Sequence, residues 1–244
     1  MPDHGVLIHY SDPFLIRSFP LRGVKHWQGP KLLACGDLHH GPNPILTLKN
    51  YLVLEPHDAV LLTFNPALLN EVQSAIKQPV RSIPPTFFRY PTAVPVPNPI
   101  QKLLHVGSLG PHHSHRKKLV SQLIQYSNIP FEHTTTKNSN DAASLYAQYA
   151  LILNIPLNND LNHRTFEIMS AGVPQIIFGS KKLLGDNKFL ENRLDIFWAS
   201  SIQEIEILTT TLFRNMRQLR QINVKPPPYL SLKTLLKEAF KYQR

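Results

Sequence analysis

Short apolar segments alternate with helical patterns along most of the chain, and this alternation most constrains the fold. Strands are predicted at 5–10, 31–35, 58–64, 102–106, 131–135, 151–157, 174–179 and 196–198. Helical patterns lie between or after them, at 44–55, 66–76, 111–126, 141–149, 164–171, 202–221 and 231–242. Strands separated by helices of this length predict parallel sheets, because a parallel connection must cross back over the sheet. The predicted fold class is therefore α/β.

The 244 residues suffice for two domains, each with its own core. Seven of the 22 prolines fall within 79–99, and proline fits neither a helix interior nor a central strand. We therefore predict a first domain over 1–95, with an extended proline-rich linker over 79–99. A second domain is predicted over 100–225, and the three prolines at 226–228 set off a terminal segment over 226–244 with its own helix.

Two strand-to-helix junctions of the second domain predict an anion site. The strand at 151–157 leads through an Asn/Asp loop into a helix that starts near Arg164 and ends at Gly172. The strand at 102–106 leads through a turn with Gly107 and Gly110 into a basic helix that contains Arg116, Lys117 and Lys118. Helix starts present unpaired N–H groups, and the carboxyl ends of parallel strands share one edge, so both junctions are predicted to meet there.

Glu167, one turn into the second of these helices, is placed to accept from a hydroxyl such as a ribose diol. The alternative interpretation is structural: a capped surface helix with an Arg164–Glu167 ion pair, and a glycine turn that is simply tight. The sequence contains neither a Walker motif nor a Gly-x-Gly-x-x-Gly motif, so the usual nucleoside triphosphatase and dehydrogenase signatures are missing.

A second polar cluster follows the strand at 31–35 in the first domain. Asp37, His39 and His40 lie at its predicted carboxyl edge, where a histidine can act as a base or donate to an anion, and Asp37 can orient it. Adjacent side chains diverge, so at most one histidine is expected to face a cleft. The histidines at 112, 113 and 115 fit no zinc signature, and we predict no metal site.

The formal net charge of +10 predicts an anionic partner. Most of the excess lies in the second half, where Arg214, Arg217 and Arg220 follow one another at helical spacing. This stripe is either a solvated face or a contact with an anionic membrane surface. The single Cys35, the lack of a signal-peptide pattern and the lack of a long apolar run predict a cytoplasmic protein, peripheral to the membrane if that contact exists.

The segment from Leu103-Leu104-His105-Val106-Gly107-Ser108-Leu109 to Asp160-Leu161-Asn162-x-Arg164-x-Phe166-Glu167-x-Met169-x-Ala171-Gly172 resembles the C-terminal domain of GT-B glycosyltransferases. It looks closest to the CgeB-like branch of glycosyltransferase family 4. The likeness covers roughly residues 100–222, and Gly36-Asp37-Leu38-His39-His40-Gly41 with Tyr51, Glu55 and Asp58 looks similar to the partner domain. The resemblance implies two Rossmann-like domains facing each other across a cleft, the first one shortened, with the terminal helix packed back on it.

By this resemblance the protein transfers a sugar from a nucleotide-sugar donor to an unknown acceptor without a metal or other cofactor. Glu167 would hold the ribose, Gly107 and the helix start at 163–165 the diphosphate, and Arg164 or Lys117 its charge. Asp37 with His39 or His40 would activate or position the acceptor. The implied donor-binding residues are Gly107, Ser108, Gly110, Arg116, Lys117, Asp160, His163, Arg164, Thr165 and Glu167.

Two other functions stay open. The family's first glutamate lies eight positions before the second, where this chain has Asn159, and this difference favours a catalytically silent nucleotide-sugar-binding protein. The net charge alone would also suit a nucleic-acid-binding protein. No helix-turn-helix or aromatic-rich basic pattern supports that function, so we expect no nucleic-acid partner.

Overall fold

The computed structural model describes residues 5–39, 41–110, 113–157, 160–184 and 187–240. The chain forms two compact units. One contains the chain up to Phe87 together with the segment from Leu230 onward, and the other runs from Phe88 to Tyr229.

The first unit has a four-stranded parallel sheet whose strand order follows the chain. The strands are β1 (Leu7–Ser11), β2 (Lys31–Cys35), β3 (Ala59–Leu62) and β4 (Val80–Ser82). Helix α1 (Pro13–Ser18) follows β1, α2 (Pro44–Leu54) follows β2, and α3 (Leu69–Ala75) follows β3. The apolar strands β2 and β3 are central and almost wholly buried, as expected for a sheet covered on both faces.

The second unit has a five-stranded parallel sheet in the order β6-β5-β7-β8-β9. The strands are β5 (Ile100–Val106), β6 (Phe131–Thr134), β7 (Tyr149–Asn154), β8 (Gln175–Phe178) and β9 (Ile196–Ala199). The helices are α4 (Ser114–Tyr126), α5 (Ser139–Tyr146), α6 (His163–Ser170), α7 (Ile202–Arg214) and α8 (Met216–Gln221). All six residues of the central strand β7 are buried.

The direction of the strand order reverses between β5 and β7. The chain first adds β6 on one side of β5 and then adds β7, β8 and β9 on the other. Such a reversal leaves a crevice at the carboxyl ends of the two strands, which is where doubly wound sheets bind ligands. The strands described in the first sheet contain no reversal of this kind.

The terminal helix α9 (Leu232–Ala239) belongs to the first unit. Ser231 caps it by accepting from the amide of Thr234 at 3.2 Å. Its buried residues Leu235 and Ala239 pack in one core cluster with Leu32 and Leu61 of the first sheet. The helix thus covers a face of that sheet.

Three predicted elements were wrong in detail. The predicted linker contains β4, which fits between Pro79 and Pro84 because it is an edge strand and needs few donors. The helix predicted over 202–221 is broken at Asn215 into α7 and α8, so the arginine stripe lies on two helices. Helix α5 begins earlier than predicted, because Asn138 accepts from the amide of Asp141 at 2.9 Å and caps it.

Candidate functional site

Arg164, on α6, lies against the backbone of Gly107 at the end of β5. A Cβ atom at residue 107 would be 2.7 Å from Nη2 of Arg164. Glycine therefore leaves the space that the guanidinium occupies. The two predicted junctions do meet, at the point where the strand order of the second sheet reverses.

The guanidinium of Arg164 is only partly satisfied. Its side chain hydrogen-bonds the buried Tyr146 on α5. The Nε and Nη1 atoms are buried and have no hydrogen-bond partner among the described residues. A buried cationic donor without an acceptor is costly, so these two N–H groups indicate a place for an anion.

Arg116, on α4, has a structural role at the same crevice, unlike Arg164. Its Nη1 donates to the carbonyl oxygen of Ser108 at 3.3 Å, and its Nη2 donates to that of Ile155 at 2.9 Å. The side chain therefore ties the segment after β5 to the segment after β7. Burial, together with repulsion by Arg164, lowers the pKa of Arg116 to about 10. We call this pair of hydrogen bonds the arginine clamp.

Two stacked imidazoles lie next to these cations. His105, on β5, is fully buried, and its ring stacks on that of His133, on β6, at 5.4 Å between centroids. Nδ1 of His105 is 2.9 Å from the carbonyl oxygen of Leu153, whereas Nε2 has no partner among the described residues. Burial, with Arg164 as a further cause, lowers the pKa of His105 well below its usual value. The surroundings therefore oppose additional positive charge.

Among the described residues, no side chain caps the two helices that start at this crevice. Neither α4 nor α6 has a side-chain hydrogen bond at its N-cap in the described structure. Helices α5 and α7 of the same unit are capped by Asn138 and Ser201. Uncapped amides at a helix start add partial positive charge to that of the arginines.

A cavity of about 680 Å³ opens at the same edge of the sheet. It is lined by residues that follow β7, residues that follow β8 and the start of α4; among them are Pro156, Leu157, Gly179, Ser180 and Ser114. Pro156 directly follows Ile155, which the arginine clamp holds. The second unit therefore offers room for a ligand beside its cationic crevice.

Four other residues predicted at this site differ in exposure and in their hydrogen bonds. The Ser108 hydroxyl accepts from the amide of Gly110 at 3.1 Å and shapes the glycine turn. Lys117 is exposed on the first turn of α4, and Asp160 is buried in the loop before α6. Glu167 accepts a hydrogen bond from the Ser139 hydroxyl at 3.0 Å, and this bond joins the start of α5 to the middle of α6.

Thr165 and His163 form contacts that hold α6 in place. The buried Thr165 accepts from Nδ2 of Asn154 at 2.9 Å, and its carbonyl accepts from Nε2 of Gln175 at 3.0 Å. Nδ1 of His163 is 2.8 Å from the Tyr90 hydroxyl, in a cluster of aromatic rings. These contacts fix α6 on the sheet, so both side chains position the helix start.

Two histidines with lowered pKa values predict a loss of stability in acid. Burial lowers the pKa of His163 to about 4. Burial is also the largest cause of the lowered pKa of His57 in the first unit, which is likewise about 4. An unfolded histidine titrates near 6.5, so between about pH 6.5 and 4 the unfolded chain binds more protons. We expect the free energy of unfolding to fall through this window by roughly 3 kcal/mol per histidine.

Urea denaturation at several pH values measures this effect. The variant His163→Asn should show a weaker pH dependence than the wild type. The exposed His26→Asn is the matched control and should keep the wild-type dependence. A free energy of unfolding that is equal at pH 7 and pH 4 would contradict the prediction.

Asp37 and His39 of the first unit do come together, with an asparagine that sequence reasoning missed. Asn65 Oδ1 accepts from the amide of Leu38 at 2.8 Å, so its Nδ2 faces Nδ1 of His39, also at 2.8 Å. Nδ1 of His39 thus lies within reach of two polar side chains, Asn65 and Asp37, and its role as donor or acceptor depends on the tautomer of the ring.

Asp37 supports the turn around His39. Its Oδ1 accepts from the His39 amide at 2.8 Å and is 3.1 Å from Nδ1 of the same residue. His40 lies outside the described residues. The polar residues Glu55 and Asp58 have structural roles, since Glu55 accepts from the amides of Gly23 and Lys25 and Asp58 from that of Lys31.

No protein-family model and no curated protein matches the sequence. Solved structures do match. TarM has a TM-score of 0.57 and 11% identity over 95% of this chain and 53% of its own. A Staphylococcus aureus TarM mutant in complex with fondaparinux, alpha-GlcNAc-glycerol and UDP has a TM-score of 0.52 and 11% identity, over 96% of this chain and 54% of its own.

Sucrose-phosphate synthase from Thermosynechococcus elongatus has a TM-score of 0.52 and 12% identity, over 90% of this chain and 66% of its own. The chain therefore spans half to two thirds of the length of these structures. They are GT-B glycosyltransferases, and their similarity identifies the fold as α/β of the GT-B type, with two Rossmann-like domains and a short first domain. The family 4 or CgeB-like branch stays a prediction.

Proposed function

We propose that the second unit binds the nucleoside diphosphate part of a nucleotide sugar at the crevice between β5 and β7, and that the protein is a glycosyltransferase. The single observation that carries the proposal is the guanidinium of Arg164, with two buried N–H groups that have no partner among the described residues. A diphosphate supplies the acceptor atoms and the negative charge that this environment lacks. The GT-B fold supports the proposal at the level of the class of enzyme.

Sugar transfer breaks the bond between the anomeric carbon and the diphosphate, and forms a bond from that carbon to an acceptor oxygen. The diphosphate gains negative charge as it leaves, and fixed positive groups lower the barrier by stabilising this charge. Arg164 and the amides at the starts of α4 and α6 would do so without a metal. The proton of the acceptor hydroxyl leaves with solvent or a base, and the identity of the acceptor stays open.

The test of this proposal is a thermal-shift screen of the whole chain with nucleoside diphosphates in the presence of a chelator. At about 100 times its dissociation constant, a ligand of the folded state adds about 2.7 kcal/mol to the free energy of unfolding. UDP or GDP is expected to raise the melting temperature without metal. If no nucleoside diphosphate does so, both the enzyme and the silent binder are excluded.

Glu167 provides a prediction for the ribose. If its carboxylate accepts from ribose hydroxyls, Glu167→Ala should weaken nucleotide binding about tenfold to a hundredfold, as expected for hydrogen bonds to a charged group. Ser139→Ala is the matched control, because it removes the present partner of Glu167 and leaves the carboxylate in place. Calorimetric titration with UDP measures both. Equal affinities for Glu167→Ala and the wild type would assign Glu167 to joining α5 and α6.

The silent nucleotide-sugar-binding protein is the second candidate, favoured by Asn159 at the position of the first family glutamate.

We propose that His39 or His40, supported by Asp37, acts on the acceptor side. One of His39→Ala and His40→Ala should then abolish transfer from a nucleotide sugar while it leaves UDP affinity within about twofold. The other variant should be nearly unchanged. A wild type that binds UDP but releases no nucleoside diphosphate from any nucleotide sugar would establish the silent binder.

A further inference from the structure

The segments 13–27 and 44–54 of the first unit, which contain helices α1 and α2, expose apolar side chains. Eight large apolar side chains between residues 14 and 54 are exposed, among them Phe19 at 81% and Val53 at 75%. The set is Phe14, Leu15, Phe19, Leu21, Trp27, Leu46, Val53 and Leu54. We call the exposed surface of residues 13–27 and 44–54 the α1–α2 face. Large apolar patches on a soluble domain mark interaction sites.

Two of the eight exposed apolar side chains, Leu46 and Leu54, line a groove on this face. The groove, of about 430 Å³, runs between α1 and α2, and its lining combines apolar Ile16, Leu46 and Leu54 with Arg17 and Arg22. Exposed apolar side chains and guanidinium groups are therefore contiguous here. The face can take up a ligand that carries apolar chains and negative charge together.

The segment between the two helices is held in place. The Tyr51 hydroxyl of α2 donates to the carbonyl oxygen of Leu21 at 3.0 Å. Both carboxylate oxygens of the buried Glu55 accept from backbone amides, those of Gly23 and Lys25, each at 3.1 Å. The exposed residues near these anchors thus lie on a fixed backbone, and the charge of Glu55 is directed inward.

The charge of the face is positive. Residues 13–54 contain five Lys/Arg and one acidic residue, Asp37, which lies in the turn with His39. The exposed cations of the α1–α2 face are Arg17, Arg22, Lys25 and Lys49. A surface with aromatic and leucine side chains between cations is complementary to anionic lipid headgroups above acyl chains.

We propose that the α1–α2 face docks on an anionic membrane surface. Phe14 and Phe19 enter the boundary between headgroups and acyl chains, and Arg17 and Arg22 pair with lipid phosphates while their stems cover apolar surface. This places the contact on the first unit and not on the arginine stripe of the second. No helix in the described part of the chain is long and apolar enough to cross a bilayer, and docking of this kind requires none.

Co-sedimentation of the full chain with vesicles tests the proposal. The wild type is expected to bind vesicles of phosphatidylcholine with phosphatidylglycerol, to bind phosphatidylcholine alone far more weakly, and to lose binding in high salt. Arg17→Gln with Arg22→Gln should reduce binding roughly 25-fold, at about a fivefold loss for each cation near the surface. Phe14→Ser with Phe19→Ser should reduce it at least about tenfold.

Two pairs of variants in the second unit are the matched controls. Ile124→Ser with Tyr126→Ser removes two exposed side chains in the last turn of α4, which are 61% and 77% exposed. Arg214→Gln with Arg217→Gln removes two cations of the predicted stripe. Both pairs should bind vesicles like the wild type, and all variants should keep its melting temperature.

Three results would overturn the proposal. The first is equal binding to neutral and anionic vesicles, or no binding to either. The second is a loss in a control pair as large as that in the α1–α2 variants. The third is a wild-type dimer in sedimentation velocity that Phe14→Ser with Phe19→Ser dissociates, because the face would then bind a second copy of the chain.

Discussion

Replacing Arg164 with methionine is expected to weaken binding of a nucleoside diphosphate by at least about a hundredfold, because two charge-assisted hydrogen bonds are worth about 1.5–3 kcal/mol each. The free energy of unfolding should change by less than about 1 kcal/mol. Loss of the hydrogen bond to Tyr146 is offset by removal of two buried N–H groups that lack partners and by relief of the repulsion on Arg116.

The measurement combines calorimetric titration of UDP with urea denaturation of the same variant. Arg214→Met is the matched control, since it removes the same charge from the last turn of α7. Arg214→Met should lower the affinity for UDP only slightly, through the small change in the electrostatic field of the whole protein. If Arg164→Met bound UDP like the wild type and lost several kcal/mol of stability, Arg164 would be a structural residue.

Replacing Arg116 with methionine should, unlike Arg164→Met, reduce the stability of the fold. The arginine clamp holds the carbonyl oxygens of Ser108 and Ile155, and its loss leaves two acceptors without their charged donor. We expect the free energy of unfolding to fall by about 2–3 kcal/mol, less than the sum of two such bonds because a buried cation is also removed. Nucleotide binding should weaken as well, since the clamp orders both loops of the crevice.

Lys117→Met is the matched control for Arg116→Met. It removes the adjacent cation from the same helix, but this side chain is exposed, so we expect a change within about 0.5 kcal/mol. Urea denaturation of both variants gives the comparison. Equal stabilities would mean that the arginine clamp contributes nothing to the fold.

Much of the architecture could be predicted because apolar runs and helical periodicity report burial directly. The strand β2 lies where it was predicted, and β5, β7 and α6 differ by a few residues at their ends. Strand β4 was missed because its flanking prolines suit an edge position that only the assembled sheet defines. The short helix α1 was missed although Asp12, which caps it, and Pro13, at its start, are a recognisable pair.

The meeting of Gly107 and Arg164 could be predicted, because the carboxyl ends of neighbouring parallel strands share an edge. The roles of Arg116 and His105 could not, since they depend on which strand lies beside β5. The contacts of Thr165 with Asn154 and Gln175, and of His163 with Tyr90, also depend on the assembled fold. Likewise, the contact between Asn65 and His39 joins residues from two different loops.

The proposed function requires that the crevice between β5 and β7 bind a diphosphate. The most direct measurement is calorimetric titration of UDP and of uridine into the full chain, in the presence of a chelator. We expect saturable binding of UDP that is at least about a hundredfold tighter than that of uridine, from two or more charge-assisted hydrogen bonds. We also expect this difference largely to disappear in Arg164→Met. Equal affinities for UDP and uridine, or a wild type that binds neither, would contradict the proposed function.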